Sequence, residues 1–365
     1  MSQIQSMGPG LHPGAGACAP KEKGAIFRPS TPEDAPEILA LFRKAGIGSN
    51  ARAEDLQWKY WQPRDDWPGS RSYVMAGSSG IIAHGGVVAG TMSWQDRRAR
   101  VIMVVDWAAL PSATGAGVSL MKRIGRLTDV LLAIGGSQDT RAILPHLGFR
   151  PYPQVTGFVR PLRPFRILRS GGSAHWRLAA RLARGVFWKI QAPGTRGASC
   201  HVHRVEAGQL EEIASLLPRP RAQMAVMERS ATIFRHLLQC PMVDTELYLL
   251  EQSGRPRGYF LLTFAPGQAR LADLWTASED PDDWRSLILC AVRCAMRHPA
   301  AVELAAWSVD PEVCQRLREC GFHARTAQPV QLMAPADFEA PPALHVQMID
   351  SDLAYLHRGY PELWA

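Results

Sequence analysis

Residues 99–149 decide the fold, and they have the sequence ARVIMVVDWAALPSATGAGVSLMKRIGRLTDVLLAIGGSQDTRAILPHLGF. The run 101–110 is apolar except for Asp106, as in a buried strand. A loop of small residues at 112–117 leads into a helical pattern, DVLLAIGGS is a second buried strand, and a short helix ends at Gly148. This order predicts an α/β unit in which a helix begins beside the end of a strand.

The segments before this stretch predict the other elements of the same unit. AIFRP, from Ala25, has the pattern of a strand, and a proline with two acids at 32–34 marks the first turn of a helix. SYVMAG predicts a further strand. The runs 82–92 and 99–110 predict a hairpin with its turn near residues 95–96.

The same order of segments recurs later in the chain. RPSTPEDAPEILALF (28–42) resembles HRVEAGQLEEIASLL (203–217), WKYWQP (58–63) corresponds to HLLQCP (236–241), and SYVMAGSSGIIAHGGVV corresponds to LYLLEQSGRPRGYFLLT. ARVIMVVDW (99–107) corresponds to ARLADLW (269–275), and VLLAIGGSQDTRAILPHLGF (130–149) to VELAAWSVDPEVCQRLRECGF (302–322). Five blocks in the same order indicate an internal repeat. Two unrelated domains with a similar rhythm of strands and helices are the alternative.

Composition restricts the class of protein. The 365 residues fit two domains, and 46% hydrophobic with 20% charged residues is a globular composition. Seven cysteines without CxxC spacing indicate reduced, buried thiols in a cytoplasmic protein rather than a disulfide framework. The sequence shows neither the pattern of a signal peptide nor a run of about 18 apolar residues, which a membrane span requires.

We therefore predict five regions along the chain. They are a disordered tail at 1–24, a first domain at 25–165, a basic linker with an amphipathic helix at 166–199, a second domain at 200–335 and a C-terminal tail at 336–365. No chemistry can be assigned to the C-terminal tail. The net charge of +8 is local, because residues 140–205 contain eleven arginines, one lysine and no acid.

The helix in the basic linker has two interpretations. Its apolar residues share one face, which either packs on a domain or, with the rest of 160–190, contacts an anionic membrane surface. Those apolar residues are Trp176, Ala179, Ala183, Phe187 and Ile190. Nucleic acid is not expected as a partner, since no nucleic-acid-recognition motif accompanies the basic residues.

The order of elements resembles that of the GNAT acyltransferase superfamily over residues 25–165 and, less closely, 200–335. In that superfamily a strand ends in a loop of the form Q/R-x-x-G-x-G/A, whose backbone N–H groups hold the CoA pyrophosphate at a helix start. Residues 111–119 match this loop, with Thr114 in place of Arg or Gln, Gly117 retained, and Ser119 in place of Gly or Ala. The resemblance implies an α/β (α+β) protein of two GNAT-like domains, each a mixed, mostly antiparallel sheet flanked by helices.

The resemblance also implies an acyl-CoA co-substrate, acetyl-CoA or one with a longer acyl group. The residues expected to contact it are Ala108, Leu110, Thr114, Gly115, Ala116, Gly117, Val118, Ser119, Gly136, Ser137 and Thr140. Capping of the next helix is an alternative role for residues 136–140. Residues 276–283 in the second half contain four acids and no glycine, so we expect no CoA there.

Catalysis is predicted from one carboxylate. Many GNAT enzymes use a carboxylate of this strand as general base, and Asp106 is the matching residue. Its apolar strand is expected to raise the pKa of Asp106 through desolvation. A structural aspartate bonded to neighbouring backbone is the alternative. The tyrosine that serves as general acid in many of these enzymes is replaced by Leu144 in the first half and Leu317 in the second.

Other polar and aromatic residues are weaker candidates. Trp58, Tyr60 and His84 belong to segments that line the acceptor cleft in such folds, although aromatic residues at this spacing also form cores. His201 and His203 form an HxH pair without a further Cys/His cluster nearby, so no metal is expected.

Three functions remain open from the sequence. The leading hypothesis is an N-acyltransferase that moves an acetyl or longer group from CoA to an amine of a small molecule, sugar or peptide. In this hypothesis the second half forms a lid or wall of the acceptor cleft. The alternatives are a catalytically inactive tandem protein used for binding, and a transferase that takes its group from an aminoacyl-tRNA.

Overall fold

The computed structural model describes residues 24–47, 51–169, 175–195, 201–276, 278 and 280–356. The predicted tail at 1–24 lies outside these ranges except for Gly24, as do residues 357–365 of the C-terminal tail.

The first half of the chain contains the predicted order of elements. They are β1 (Ile26–Pro29), α1 (Ala35–Ala45), α2 (Ala53–Leu56), β2 (Ser72–Gly77), β3 (Gly80–Trp94), β4 (Arg97–Ala109), α3 (Ala116–Ile124), β5 (Val130–Ile134), α4 (Gln138–Ile143) and β6 (Arg150–Pro161). A π-helical turn at Gln57–Trp61 extends α2. The predicted hairpin is confirmed, with Gln95 in its turn at a φ of 52°.

Helix α5 (His175–Gln191) leads into the second half, which repeats this order. Its elements are β7 (His201–Val205), β8 (Met224–Met227), α6 (Ala231–Leu238), β9 (Asp244–Gln252), β10 (Arg255–Ala265), β11 (Gln268–Thr276), α7 (Pro281–Arg297), β12 (Glu303–Ser308), α8 (Pro311–Glu319) and β13 (His323–Met333). A 3-10 segment, Leu210–Leu216, takes the place of α1. The C-terminal tail adds β14 (Ala343–His345) and two 3-10 turns, Met348–Asp350 and Asp352–Ala354.

Local sequence accounts for the first helix. A proline occupies its first turn, Ile38, Leu41 and Phe42 follow at the spacing of one helical face, and all three are buried. Gly46 ends the helix in the left-handed region, with a φ of 68°, where glycine has no steric penalty.

The two halves share one sheet and exchange their last strands. In the described residues the main strand order is β1-β2-β3-β4-β5-β13-β6-β12-β11-β10-β9-β7. Strand β13 of the second half lies between β5 and β6, and β6 of the first half lies between β13 and β12. The predicted mixed, mostly antiparallel sheet is confirmed, with parallel pairs at β4–β5, β11–β12 and β8–β14.

The core continues across the exchanged strands. Phe158 in β6, Leu304 in β12 and Leu332 in β13 are buried in one hydrophobic cluster. Cys290, Cys294, Cys314 and Cys320 are buried and Cys240 is partly buried, and none of these five thiols is joined in a disulfide among the described residues. Cys18 and Cys200 lie outside the described residues. No helix in the described ranges is long and apolar enough to cross a membrane.

Helix α5 presents its apolar face to solvent. Ala179 and Ala183 are exposed, and Phe187 and Ile190 keep 57% and 77% of their surface accessible. The interpretation that this face packs on a domain is therefore wrong. The helix is held instead by its other side, where the Trp188 ring stacks on His323 at 4.0 Å between centroids. The side chain of Trp176, predicted on the apolar face, lies outside the described residues.

Candidate active site

Strands β4 and β5 separate and leave a cavity between them. They pair in parallel at only three positions, the last being Met103 with Leu132. Beyond this point the cavity, of about 880 Å³, is lined by β4 from Met103 to Trp107 and by the end of β5 with the turn that follows it. Backbone groups at the facing edges of the two strands are thus available to a ligand that can pair with them.

The helix that begins beside this gap has free donors. Gly115, at a φ of 83°, occupies the N-cap position of α3 and supplies no side chain to cap it. The amide of Ala116 donates to the carbonyl of Ala113, but those of Gly117 and Val118 have no acceptor among the described residues. A Cβ on Gly115 would meet nothing within 4 Å, so the space beside the helix start is open. Uncapped amides and the helix dipole favour an anion here.

The corresponding helix of the second half is capped by the protein itself. The side chain of Asp280 accepts from the amide of Asp282 at 2.9 Å, and Asp283 donates its amide to the carbonyl of Asp280. Gln347 from the C-terminal tail bonds both the N–H and the C=O of Leu274 in β11, at 3.0 and 2.7 Å. The strand edge in the second half is thus already paired with a side-chain amide.

The turn after β5 contributes to the cavity. Gly136 has a φ of 89°, which favours glycine, and it lines the cavity together with Ser137 and Thr140. The hydroxyl of Ser137 accepts from the amide of Thr140 at 3.1 Å and caps α4. Ser137 therefore caps α4, which was the alternative role predicted for residues 136–140, and this helix start also lines the cavity.

Asp106 sits in a β-bulge of β4. The register shifts so that Asp106 and Trp107 together oppose a single residue of β3, Gly85. Asp106 has a φ of 48°, an uncommon conformation for a residue with a side chain. The His84 ring bonds its carbonyl at 3.1 Å, and the carboxylate accepts from both Lys59 and Tyr60.

Lys59 lies between two carboxylates. Its ammonium group bonds Asp106, lies 3.6 Å from Oδ2 of Asp352 in the C-terminal tail, and faces the rings of Tyr60 and Tyr355. Burial lowers the pKa of Lys59, but Asp106, together with Tyr60, Tyr355 and Asp352, outweighs burial and holds that pKa well above its ordinary value. Lys59 is therefore a fixed positive charge.

The pKa values of the two carboxylates shift in opposite directions. Burial alone would raise the pKa of Asp106, but the charge of Lys59 and the bonds from Lys59 and Tyr60 leave it lowered. The expected rise in the pKa of Asp106 is wrong for this reason. Burial raises the pKa of Asp352, and its partial pairing with Lys59 does not offset that rise.

His84 belongs to a chain of buried polar groups. Its Nδ1 bonds the carbonyl of Asp106, and its Nε2 lies 2.9 Å from the hydroxyl of Ser72, which in turn accepts from Ser30 at 2.6 Å. Burial lowers the pKa of His84 to about 4, so the ring is neutral near pH 7. It is wholly buried behind Asp106 and does not line the cavity.

The second half supplies a wall of the cavity. Trp307 in β12 and Thr326 in β13 both line it, and both face Gly157 of β6 in the sheet register. The indole Nε1 of Trp307 and the hydroxyl of Thr326 are buried without a hydrogen-bond partner. A buried polar atom without a hydrogen-bond partner costs free energy unless water or a ligand supplies the missing bond.

The comparison with solved structures identifies the fold. A GCN5-related N-acetyltransferase from Anabaena variabilis superposes with a TM-score of 0.55 at 12% identity, over 84% of this chain and 72% of that one. Saccharomyces cerevisiae N-myristoyltransferase with bound myristoyl-CoA gives 0.61 at 11% identity, over 93% and 86%. A probable N-acyltransferase from Enterococcus faecalis gives 0.56 at 10% identity, over 85% and 72%.

The chain has the GNAT fold. No family model matches its sequence, and no curated protein matches it either. At sequence identities of 10–12%, the similarity to these structures shows the fold and nothing further.

Within this GNAT fold, the predicted site residues fall into two groups. Asp106, Gly136, Ser137 and Thr140 line the cavity. The others are not among its lining residues, and they are Trp58, Tyr60, His84, Ala108, Leu110, Thr114, Gly115, Ala116, Gly117, Val118 and Ser119. Tyr60 is one hydrogen bond from the cavity through Asp106.

Trp58 has a different environment from the one expected. Its ring stacks on His236 at 4.4 Å between centroids, and its indole N–H donates to the His236 carbonyl at 2.9 Å. His236 is its counterpart in the internal repeat, so the two repeats meet at this pair. Trp58 lines a separate small cavity of about 40 Å³.

The leucines at the missing tyrosine positions are buried. Leu144 lines the main cavity, and Leu317 is buried in the core of the second half. Neither side chain can donate a proton, so any proton that a leaving thiolate takes comes from elsewhere.

The histidine pair has a third neighbour. His201 and His203 project from β7 toward Glu251 of β9, and the side-chain ligand atoms of all three lie within 4.8 Å of one another. Sequence analysis missed Glu251 because it is far away in the chain. The absence of a metal stays a prediction.

Proposed function

We propose that the protein is an acyl-CoA-dependent N-acyltransferase, which moves an acetyl or longer acyl group to an amine of a small molecule, sugar or peptide. One observation carries the proposal: the gap between β4 and β5 opens beside an α3 start whose amides at Gly117 and Val118 are uncapped. An acyl-CoA has an amide-containing pantetheine arm that fits such a slot and a pyrophosphate that fits such a helix start.

Catalysis in this site consists largely of positioning. The strand edges would orient the arm of the co-substrate, and Met103, Met121 and Leu144, which line the cavity, would contact its acyl group. The carboxylate that an amine needs as its base belongs to the cluster of Asp106, Lys59 and Asp352, which lines the same cavity. The second half is proposed as a wall of the acceptor cleft and not as a second CoA site, since its helix start and strand edge are occupied.

Binding of CoA tests the proposal directly. We expect Thr114→Asp to weaken CoA binding at least about tenfold, because a carboxylate beside the pyrophosphate repels it. Thr114 is exposed, and an acid before a helix start suits the helix dipole, so folding is unaffected. Titration calorimetry with CoA measures the effect, and Thr31→Asp, at the exposed start of another helical turn, is the matched control. Equal affinity of the two variants contradicts the proposed pyrophosphate site.

The same titration separates the alternatives. Acetyl-CoA, octanoyl-CoA and myristoyl-CoA compared with CoA show which acyl length gains affinity. A failure of every CoA derivative to bind supports the inactive binding protein. Binding of tRNA that weakens steeply with added salt supports the aminoacyl-tRNA transferase.

We also propose that helix α5 rests on an anionic membrane surface at the cytoplasmic side. Phe187 and Ile190 are exposed on one face, and Phe165 keeps 67% of its surface accessible nearby in the chain. Arg166 and Lys189 are exposed in the same region, and no carboxylate between 140 and 205 opposes anionic lipid.

Vesicle binding tests this contact. We expect wild-type protein to sediment with vesicles of phosphatidylcholine and phosphatidylserine but not with phosphatidylcholine alone. The double variant Phe187→Ser/Ile190→Ser should bind at least about tenfold more weakly, because apolar burial is lost. Ile26→Ser removes an equally exposed apolar side chain from β1 and should bind as wild type. Equal binding of the double variant and wild type contradicts the contact.

A further inference from the structure

The charges at the cavity are unbalanced. Three carboxylates and two cationic side chains line it. The carboxylates are Asp55, Asp106 and Asp352, and the cations are Arg52 and Lys59. Arg52 pairs with Asp55 at 2.9 Å and Lys59 pairs most closely with Asp106. Asp352 is left as the carboxylate with the weakest compensation, so the cavity favours a cationic guest.

Asp352 is bound more loosely than Asp106. Asp106 accepts from two side-chain donors, Lys59 and Tyr60, whereas the Asp352 carboxylate lies 3.6 Å from Lys59 and otherwise bonds its own backbone amide. The charged and titratable groups that face Asp352 are Lys59 in the π-helical turn, Asp106 on β4, Tyr355 on its own segment, and Arg270 on β11. Arg270 is committed to the carbonyls of Leu353 and Leu356.

We propose that Asp352 binds the ammonium group of the acceptor and takes its proton. Lys59 is a positioning residue in this proposal, because it holds the carboxylate of Asp106 in place. This inference rests on the proposed acyl transfer. The acceptor is a primary amine that arrives as R–NH3+.

The proton balance of the step is simple. One proton passes from R–NH3+ to the carboxylate of Asp352, and the nitrogen lone pair then forms a bond to the thioester carbon. The C–S bond breaks, one of the two protons left on nitrogen passes to the departing thiolate while the other stays as the amide N–H, and Asp352 returns its proton to water. The products are an amide and CoA. A carboxylate whose pKa is raised by burial suits this exchange because it is a stronger base than an ordinary aspartate.

The tail that carries Asp352 is fixed by a second buried ion pair. Arg229 bonds Asp350 at 2.7 Å and Asp273 at 3.0 Å, and the Asp350 carboxylate accepts from the amide of Gln347 at 2.8 Å. Ser351 caps the turn that begins at Asp352. The position of Asp352 at the cavity is therefore built into the fold and does not depend on a ligand.

Replacement of Asp352 tests the assignment by its pH profile. With acetyl-CoA and either hexylamine, glucosamine or a peptide with a free α-amino group, we expect Asp352→Asn to lower kcat/KM at least about 100-fold at pH 7. The deficit should shrink as the pH rises toward the pKa of the amine, because the acceptor then arrives without its proton. CoA affinity should stay at the wild-type value. Asp337→Asn, which removes an exposed carboxylate, is the control and should leave kcat/KM unchanged.

The outcomes distinguish the two proposals. If wild type acylates an amine and Asp352→Asn does so equally well, or with a deficit that does not change with pH, the assignment is overturned and the acyltransferase stands. If wild type acylates none of the amines, the proposed function itself falls.

Thermal unfolding adds a readout that needs no substrate. Asp352→Asn should raise the unfolding midpoint at pH 7.5 by at least about 1 °C, because it removes a poorly compensated buried charge. Asp106→Asn should lower the midpoint, because it removes the main partner of Lys59. A lower midpoint for Asp352→Asn would show a structural role and would overturn the assignment.

Discussion

Lys59→Met should lower the free energy of unfolding by about 3–5 kcal/mol at pH 7. The substitution keeps the volume of the side chain but leaves Asp106 and Asp352 buried without their shared cation. Two carboxylates that share a site cannot both stay ionised at low cost, so the pKa of one of them must rise. The loss should therefore shrink as the pH falls through that raised pKa, because the protonated carboxyl no longer carries a buried charge.

A double variant provides the control for this prediction. Lys59→Met/Asp106→Asn removes one charge of each sign and should recover most of the lost stability. Urea unfolding of wild type and both variants at pH 7 and pH 5.5 measures the differences. Wild-type stability of the single variant at pH 7 would mean that Lys59 does not neutralise the two carboxylates.

The free energy of unfolding should begin to fall below about pH 6.5, which is well above the pH range where most carboxylates titrate. Burial lowers the pKa of His84 to about 4, of His345 to about 3 and of His236 to about 2, from an ordinary value of 6.5. These rings take protons in the unfolded chain but not in the folded one. Below about pH 6.5 the unfolded state thus binds more protons, and stability falls as the pH falls. At pH 5 each ring costs about 2 kcal/mol relative to neutral pH.

A single histidine variant tests the cause. His345 accepts from the side-chain amide of Gln347 at 2.6 Å, and a glutamine at this position can accept the same bond without titrating. His345→Gln should flatten the dependence of the unfolding free energy on pH between 6 and 4.5 by about 1.4 kcal/mol per pH unit. Asp350 and Asp352, with raised pKa values, act in the opposite direction, and they do so equally in the wild type and in the variant, so the difference between the two proteins reports His345. Stability that is constant from pH 7.5 to 5 would contradict the prediction.

The order of elements was predictable because it depends on local patterns. The alternation of strands, the loop at 112–117 and the recurrence of five blocks all follow from residues that are close in the chain. The exchange of β6 and β13 was not predictable in the same way. The sequence patterns of both strands fit pairing with either half. The residues near 150–161 and 323–333 carry no local signal that these two strands pair with each other.

The candidate site was predicted in part for the same reason. Asp106 is visible as the one acid in an apolar strand, and the glycine loop is visible by composition. Lys59 has a weaker signal, a single lysine inside the aromatic segment WKYW, whose burial requires a partner. Asp352 has no signal at all, because it lies outside both repeats and reaches the cavity only through the path of the tail.

Strand exchange has a consequence for how the chain is made. During synthesis β5 and β6 leave the ribosome long before β13, which ends at Met333, so the slot between them stays empty until most of the protein has emerged. Two unfilled hydrogen-bonding edges are then open to wrong partners. A break in the chain within α5 would yield two fragments that each lack a central strand, and each would regain its missing strand only by recombining with the other.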